Sequence, residues 1–318
     1  MSNPALSIVI PLYNRAALIG ACLACLPERP EVEVIVVDDG SRDGSAAAAQ
    51  AAISARRAEG WIRLLRQPNA GPGAARNPGA AAARAEWIAF LDCDDLWAPD
   101  ALPLLLQAVL AAGPAAMIFP QTADCPEGAS PALPRVSRRR TRRFENALFA
   151  VAALPQFRFA SCNLLIRRDL FMQLGGFTTA VRCSEDSDLL LRASGAGPVL
   201  CLTGDWVVAH RVGAADSLSA DAPRVAEGYH FMRARDAQGR YGPPDPLRRA
   251  FLARAAVYTI RIAFAQGHLR LAYGLWRREW RLIGRGQRHW RWRLPLTPVL
   301  SLLRPASYPM RWTLRRSG

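Results

Sequence analysis

Carboxylate side chains are concentrated at three places in the sequence. The run Asp92-Cys93-Asp94-Asp95 holds three of them within four residues, and charges this close repel one another unless a cation or hydrogen bonds compensate them. In an extended segment Asp92 and Asp94 lie on the same side, and carboxylate oxygens suit Mg²⁺ or Mn²⁺. The run therefore predicts a divalent-cation site, although an acidic turn before a helix has the same composition.

The other two acidic sites also have a structural alternative. Asp38 and Asp39 follow an aliphatic run. A carboxylate there can accept the imide N–H of a uracil ring, and a helix cap followed by a turn explains the pair equally well. Glu185 and Asp186 open a predicted helix, where the helix dipole favours acidic residues, so they are candidates for catalysis or for helix initiation. His210 ends an apolar run, and a histidine by itself is usually structural.

Short apolar runs alternate with helical patterns over the first 120 residues. This alternation is typical of an α/β fold with a parallel sheet covered by helices on both faces. The predicted strands are 6–11, 32–37, 61–66, 87–91 and 115–119, and the predicted helices are 15–26, 44–57, 73–84 and 98–112. Ligands of such sheets lie beyond the carboxyl ends of the strands. The segments that should share this edge are 11–14, 38–41, 69–73 and 92–95.

The rest of the chain shows fewer signals. Residues 121–134 are rich in Pro, Ala and Gly and residues 135–143 contain six arginines, which predicts a mobile loop. Irregular structure is predicted at 216–246, and apolar residues recur at helical spacing from 251 to 283, which predicts a helical hairpin. The remaining predicted elements are helices at 144–153, 168–174 and near 186–193, and a strand near 163–166.

Composition narrows the class of protein. The chain has 318 residues, 51% of them hydrophobic and 21% charged, which fits a globular protein and not a disordered one. We expect no signal peptide, and no membrane span, because the longest weakly polar stretch, 101–119, is interrupted by proline, glycine and glutamine. Seven cysteines, an odd number, favour free thiols in a reducing compartment and hence a cytoplasmic location. Cys22 and Cys25 lack the second ligand pair that a zinc site needs.

Four motifs occur in a fixed order in the predicted α/β part: SIVIPLYN (7–14), VVDDGSRDGS (36–45), NAGPGAARN (69–77) and FLDCDD (90–95). Later in the chain come LGGF (174–177) and EDSDL (185–189). This ordered set resembles the family 2 glycosyltransferases, which have a GT-A nucleotide-sugar fold, and the resemblance covers roughly residues 5–215. It implies a nucleotide-sugar-binding half at 1–120 and an acceptor-binding half at 121–244. An Arg- and Trp-rich helical region follows at 245–318.

The resemblance also implies roles for individual residues. Asp186 matches the general base and Glu185 its neighbour, and both would be catalytic. Asp92, Asp94 and His210 match residues at a divalent metal, Mn²⁺ or Mg²⁺. The residues implied to bind the nucleotide-sugar are Pro11, Tyr13, Asn14, Asp38, Asp39, Gly71, Arg76, Asp92 and Cys93.

By resemblance, the protein is expected to be an inverting, metal-dependent glycosyltransferase. It would move a sugar from a UDP-sugar to a hydroxyl of a saccharide or lipid-linked saccharide in cell-envelope or exopolysaccharide assembly. Two other functions remain open. A nucleotidyltransferase also uses a parallel sheet with paired carboxylates, but residues 11–14 lack the basic phosphate-binding loop that it would need. A degenerate transferase acting as a membrane-surface scaffold would not require the acidic motifs.

Positive charge is concentrated towards the C-terminal end of the sequence. All 41 basic residues are arginines, and residues 245–318 contain 16 of them against two acids, so this region carries +14 of the net +15. Five of the nine tryptophans also lie there. We expect this region to associate with an anionic membrane surface, at the inner face of the cell membrane. The surface of an ordinary helix is the alternative, and nucleic acid is a less favoured partner because the body of the chain resembles a sugar-nucleotide enzyme.

Overall fold

The computed structural model describes residues 3–58, 60–126, 139–155, 157–212 and 218–286. The strands are β1 (Leu6–Leu12), β2 (Val32–Asp38), β3 (Ile62–Arg66), β4 (Trp87–Phe90), β5 (Leu96–Trp97), β6 (Met117–Pro120), β7 (Thr122–Pro126), β8 (Arg139–Phe144), β9 (Leu165–Arg167), β10 (Val199–Gly204) and β11 (Val208–Val212). The α-helices are α1 (Ala16–Ala24), α2 (Ser45–Ala55), α3 (Pro72–Ala82), α4 (Ala101–Leu110), α5 (Ala147–Ala153), α6 (Arg168–Gln173), α7 (Glu185–Arg192), α8 (Ala222–Ala237), α9 (Pro246–Ala265) and α10 (Leu269–Gly286).

Eight strands form one large sheet in the order β3-β2-β1-β4-β9-β6-β10-β8. Strands β3, β2, β1 and β4 run parallel to their neighbours, and so do β6 and β10, whereas β9 and β8 are antiparallel. Every residue of β1 and β2 is buried, because helices cover both faces of a parallel sheet. This burial explains why these strands are continuous apolar runs in the sequence. The prediction of a mostly parallel α/β sheet is confirmed.

Two segments differ from the predictions. The predicted loop at 121–143 contains β7 and β8, and its residues 127–138 lie outside the described part of the chain. Strand β8 forms because the backbone groups along the edge of β10 need partners, and an arginine-rich strand supplies them as well as an apolar one. The predicted irregular stretch at 216–246 contains α8, so that prediction was wrong. The helix begins after Asp221, whose side chain accepts a hydrogen bond from the backbone N–H of Arg224. This is an ordinary helix-start signal, but the helix that follows has few strongly apolar residues, so the sequence did not indicate a helix.

By its contacts the chain divides into two units. The first contains residues 1–147 and 158–214 and includes both sheets, the large one and the three-stranded sheet β5-β11-β7. The second contains residues 148–157 and 215–318. The sequence placed the start of the C-terminal region at residue 245, whereas contacts group α8 with α9 and α10. Helix α8 packs against α9, which explains the difference.

The second unit is built on the predicted helical hairpin, which is present as α9 and α10. Helices α8, α9 and α10 share a core of buried apolar side chains, among them Tyr229, Val257, Ile260, Leu275 and Ile283. Within the described part of the chain, no helix combines the length and the hydropathy needed to cross a membrane.

Close packing of α3 on β1 and β2 leads to a testable prediction at Gly79. A Cβ atom added there would overlap Val9 Cγ1 and lie 3.1 Å from Val37 Cγ2, and both valines are fully buried. Overpacking of this kind costs about 1–3 kcal/mol. We therefore expect Gly79→Ala to lower the free energy of unfolding by that amount, measured by denaturant titration.

Gly20 provides the matched control for this substitution. It lies inside α1, and nothing lies within 4 Å of the Cβ position. Because alanine is a better helix former than glycine by up to about 1 kcal/mol, Gly20→Ala should leave stability unchanged or raise it. Equal effects of the two substitutions would contradict the packing described for α3.

Candidate active site

The loops after β1 and β2 meet at the carboxyl edge of the large sheet. The Asn14 N–H donates to Ser41 Oγ at 3.0 Å, and Asn14 Oδ1 accepts the Arg42 N–H at 2.9 Å. Asn14 has a left-handed φ of 49°, which asparagine tolerates better than most residues. Of the other residues predicted here, Pro11 is buried in β1 and Tyr13 is 43% exposed. Asn14 therefore joins the two loops, and the Tyr13 ring is presented at the edge.

Asp38 and Asp39 are both buried at the end of β2, but their hydrogen bonding differs. Asp38 accepts from the Ser41 N–H at 3.2 Å and from Arg66 Nε at 3.2 Å. The Asp39 carboxylate accepts hydrogen bonds of 2.7–3.0 Å from Gln67, Asn69, Ala70 and Gly71. A carboxylate has about four acceptor positions. The loop that precedes α3 therefore occupies all the acceptor positions of the Asp39 carboxylate. The Asp38 carboxylate accepts only two hydrogen bonds from described residues and has acceptor positions left.

Arg76 is buried between two carboxylates. Its guanidinium donates to Asp92 Oδ1 at 2.6 Å and to Glu185 Oε1 at 2.7 Å, and it lies 5.4 Å from the centre of the Phe177 ring. Helices α3 and α7 approach closely here, since a Cβ added at Gly73 would lie 3.1 Å from Glu185 Cγ. Arg76 thus links the acidic turn after β4 to the start of α7, and its charge is neutralised within the protein.

The acidic turn after β4 keeps two carboxylates accessible. The side chains of Asp92 and Asp94 are 25% and 28% exposed, and Arg15 Nε lies 3.6 Å from Asp94. Burial, together with the charges of Asp92 and Asp95, raises the pKa of Asp94 to about 6. Burial also raises the pKa of the Cys93 thiol, so this side chain is a neutral spacer. Asp92 and Asp94 thus each have one arginine neighbour and remain partly exposed.

Asp95 is the residue of this turn that contacts His210. Its buried carboxylate lies 3.1 Å from His210 Nδ1 and accepts the Arg211 N–H at 2.8 Å. Burial lowers the pKa of His210, but the hydrogen bond and charge of Asp95 outweigh it and the net shift is upward. Cys162 is adjacent, because one ligand atom each of Asp95, Cys162 and His210 lie within 4.8 Å of one another. Asp95 and Cys162 were not predicted as site residues, and the third carboxylate of the DCDD run was the only signal for them in the sequence.

The donor atoms at this edge are of the type that suits a divalent cation. Among the described residues, however, the ligand atoms that lie within 4.8 Å of one another belong to Asp95, Cys162 and His210, and the predicted set of Asp92, Asp94 and His210 does not form such a group. Asp92 and Asp94 supply partly exposed carboxylate oxygens, the ligands that Mg²⁺ and Mn²⁺ prefer. Since Nδ1 of His210 faces Asp95, Nε2 is the ring atom that can bind a cation. Histidines at metals usually donate their other ring N–H to a carboxylate in this way.

Glu185 and Asp186 begin α7 and have different surroundings. Glu185 is buried against Arg76, and burial raises its pKa to about 7 in spite of that arginine. Asp186 is half-buried, and its Oδ1 accepts the Ser187 N–H at 2.6 Å. Among the described residues no arginine lies within ion-pair distance of Asp186, and burial raises its pKa. A carboxylate whose pKa is raised is a stronger base than an ordinary aspartate.

Comparison with known proteins identifies the family. A family model described as glycosyl transferase family 2 matches residues 7–175, more than half of the chain. The chain belongs to glycosyl transferase family 2. The matched range includes the acidic turn and Arg76, and α7 with Glu185 and Asp186 follows it. The resemblance inferred from the ordered motifs is confirmed.

Relatives of this glycosyltransferase include ExoO, a succinoglycan biosynthesis protein of Rhizobium meliloti, which is 34% identical over 214 residues. The alignment covers 61% of this chain and 57% of ExoO, so the chain spans less than two thirds of that relative. Among solved structures, residues 1–349 of S. aureus TarS in complex with UDP-GlcNAc have a TM-score of 0.64 at 16% identity, with 92% of this chain and 87% of that TarS chain covered. The mannosyltransferase PcManGT of Pyrobaculum calidifontis, in complex with GDP-Man and Mn²⁺, has a TM-score of 0.55 at 21% identity, covering 95% and 88%. These similarities confirm the GT-A fold.

Proposed function

We propose that this glycosyltransferase moves a sugar from a UDP-sugar to a hydroxyl of a saccharide or lipid-linked saccharide, with inversion at the anomeric carbon. The observation that carries the proposal is the arrangement around Arg76, which joins the cation-binding turn to the helix of the candidate base. The succinoglycan relative ExoO supports a role in cell-envelope or exopolysaccharide assembly, and the TarS complex supports a UDP-linked donor.

On the nucleotide side, we assign recognition of the uracil imide to Asp38. Its carboxylate uses two acceptor positions, and one of them is occupied by Arg66, whose side chain is 65% exposed and can move aside. Asp39 would not contact the uracil itself. Its four hydrogen bonds hold the loop 67–71 in place next to the nucleotide. Tyr13, exposed at the same edge, is placed to contact the nucleotide base.

The diphosphate would lie against the acidic turn, where Asp92, Asp94 and His210 would hold a divalent cation. Such a cation neutralises charge on a leaving diphosphate. Asp95 keeps His210 oriented by its contact with Nδ1, and Arg76 fixes one Asp92 oxygen so that the other faces outward. Each of these contacts sets the geometry of the site before the donor arrives.

On the acceptor side, we assign the general base to Asp186. Its carboxylate takes the proton of the acceptor hydroxyl while the acceptor oxygen bonds to the anomeric carbon and the bond to the diphosphate breaks on the opposite face. Burial raises the pKa of Asp186, which makes its carboxylate a stronger base than an ordinary aspartate. Glu185 is bound to Arg76 and positions the first turn of α7.

Calorimetric titration of UDP with and without Mn²⁺ tests the proposed function. The wild-type protein should bind UDP more tightly with Mn²⁺, and Asp94→Ala should weaken that binding by about tenfold or more because a cation ligand is lost. Asp169→Ala is the matched control, since that carboxylate is 69% exposed and lies on α6. Absence of UDP binding in both conditions would contradict the nucleotide assignment. Tight binding that ignores Mn²⁺ and Asp94→Ala would contradict the cation site.

A further inference from the structure

Helix α10 carries two parallel strips of side chains on its outer side. The first, here the aromatic strip, consists of Leu269, Tyr273, Trp276 and Trp280, spaced by four, three and four residues. The second, the basic strip, consists of Arg270, Arg277 and Arg281 with Arg278 beside them. At 3.6 residues per turn these spacings keep each strip on one side of the helix. The two strips are neighbours, because Arg270, Arg277 and Arg281 each follow an aromatic-strip position by one residue.

Burial shows which side of α10 is turned outward. Ala272, Leu275 and Ile283 are buried in the core shared with α8 and α9. By contrast, Leu269 and Tyr273 are 47% and 38% exposed, the four arginines are exposed, and the two tryptophans are half-buried. The strips therefore form one continuous outer face, with the tryptophans at its boundary with the core.

This outer face is positively charged without internal compensation. The acid of α10, Glu279, is buried on the inner side, where Arg233 Nε lies 3.4 Å from it. Among the described residues no carboxylate lies within ion-pair distance of the four arginines of the face. Elsewhere in the chain arginines bind acids repeatedly, as Arg192 and Arg233 do. The four arginines thus form a positively charged patch on one exposed helix face.

We propose that this face of α10 binds the surface of an anionic lipid bilayer. A helix lies in the bilayer interface when an aromatic and aliphatic side adjoins a basic side, which is the arrangement of the two strips. Exposed Leu269 and Tyr273 would enter the headgroup region, and the arginines would contact lipid phosphates. Trp276 and Trp280 pack edge to face, with ring centres 5.0 Å apart, so they offer a compact edge and not the open ring faces on which nucleic-acid bases stack.

Co-sedimentation of the full chain with vesicles tests this proposal. On vesicles of phosphatidylglycerol and phosphatidylcholine, the wild type should bind, and added salt should weaken the binding. Replacing Arg270, Arg277, Arg278 and Arg281 together by glutamine should reduce the partition coefficient by about 10²- to 10³-fold, given the attraction of each basic residue to anionic lipid. Lysine at the same four positions should restore binding, because headgroup attraction depends on charge.

The matched control removes the same charge elsewhere. Glutamine in place of Arg139, Arg140, Arg142 and Arg143 changes four exposed arginines on β8 and should leave vesicle binding close to that of the wild type. Equal losses in the two glutamine variants, or no loss in the α10 variant, would overturn the proposal. So would equal binding to pure phosphatidylcholine vesicles, or a wild type that binds a DNA oligonucleotide through α10 and no vesicles. Circular dichroism of each variant checks that the helices remain folded.

Discussion

Asp186→Asn is expected to reduce sugar transfer by about 10²- to 10⁴-fold, the usual contribution of a general base. Asparagine has the same shape but cannot take the proton of the acceptor hydroxyl. UDP binding should be unchanged, because no nucleotide-side residue depends on Asp186. Stability should not fall either, since burial already makes the charge of this carboxylate unfavourable, as its raised pKa shows. Turnover and UDP calorimetry on the same preparation check both halves of the prediction.

Asp169→Asn is the control for this experiment. It removes an exposed carboxylate on α6 and should leave turnover at the wild-type rate. Wild-type turnover in Asp186→Asn would show that another group takes the proton. A loss of UDP binding that parallels the loss of turnover would assign Asp186 to the donor site.

Arg76→Met is expected to have the largest effect on stability. Methionine fills the space but leaves Glu185 buried without its arginine, and breaking a buried ion pair from one side costs about 3–5 kcal/mol. The loss should depend on pH. Burial already holds the pKa of Glu185 at about 7 in the folded protein, against 4.5 for the ordinary group, and removing Arg76 raises it further. A group with a raised folded-state pKa destabilises the protein as pH rises, so the loss should be larger at pH 8 than at pH 5.

Arg167→Met is the matched control, because Arg167 also faces two carboxylates but at the surface. Its partners Glu86 and Asp169 are 64% and 69% exposed, and exposed ion pairs contribute about 0–1 kcal/mol. Denaturant titrations at both pH values compare the variants. A loss in Arg76→Met that is as small as in Arg167→Met, or that is larger at pH 5, would contradict the buried bridge.

The sheet that positions the site was predictable because its strands are buried on both faces. Continuous apolar runs marked the central strands, and the helices between them showed in Ala-rich and periodic segments. Strand β8 escaped prediction because it pairs along one edge and exposes its arginines, so nothing in its own composition indicates a strand. Helix α8 escaped although its buried residues Ala222, Val225, Ala226, Tyr229 and Met232 recur at helical spacing. Two of them are alanines and charged residues lie between them, so the stripe is weak in the sequence.

The residues of the candidate site were predictable only where they belong to a short local motif. The acidic turn and α7 were found as short acidic runs, but their connection through Arg76 spans 109 residues and depends on the close approach of α3 and α7. Likewise Asp95 looked like one more acid of a turn. Its distinguishing feature is the contact with His210, which lies 115 residues further along the chain. The difference in hydrogen bonding between Asp38 and Asp39 follows from contacts with a loop after the next strand. Such roles are set by tertiary contacts that spacing does not reveal.

Strand β8 has a consequence for how copies of this protein meet in solution. It is the last strand of the large sheet, and a sheet edge of that kind is a template on which a second sheet can grow into an aggregate. Two copies joining there would bring two strands with four arginines each to a backbone separation of about 5 Å. Because the screening length in physiological salt is about 8 Å, salt does not cancel repulsion at that distance. The same residues that hid the strand from prediction would thus oppose edge-to-edge pairing of two copies.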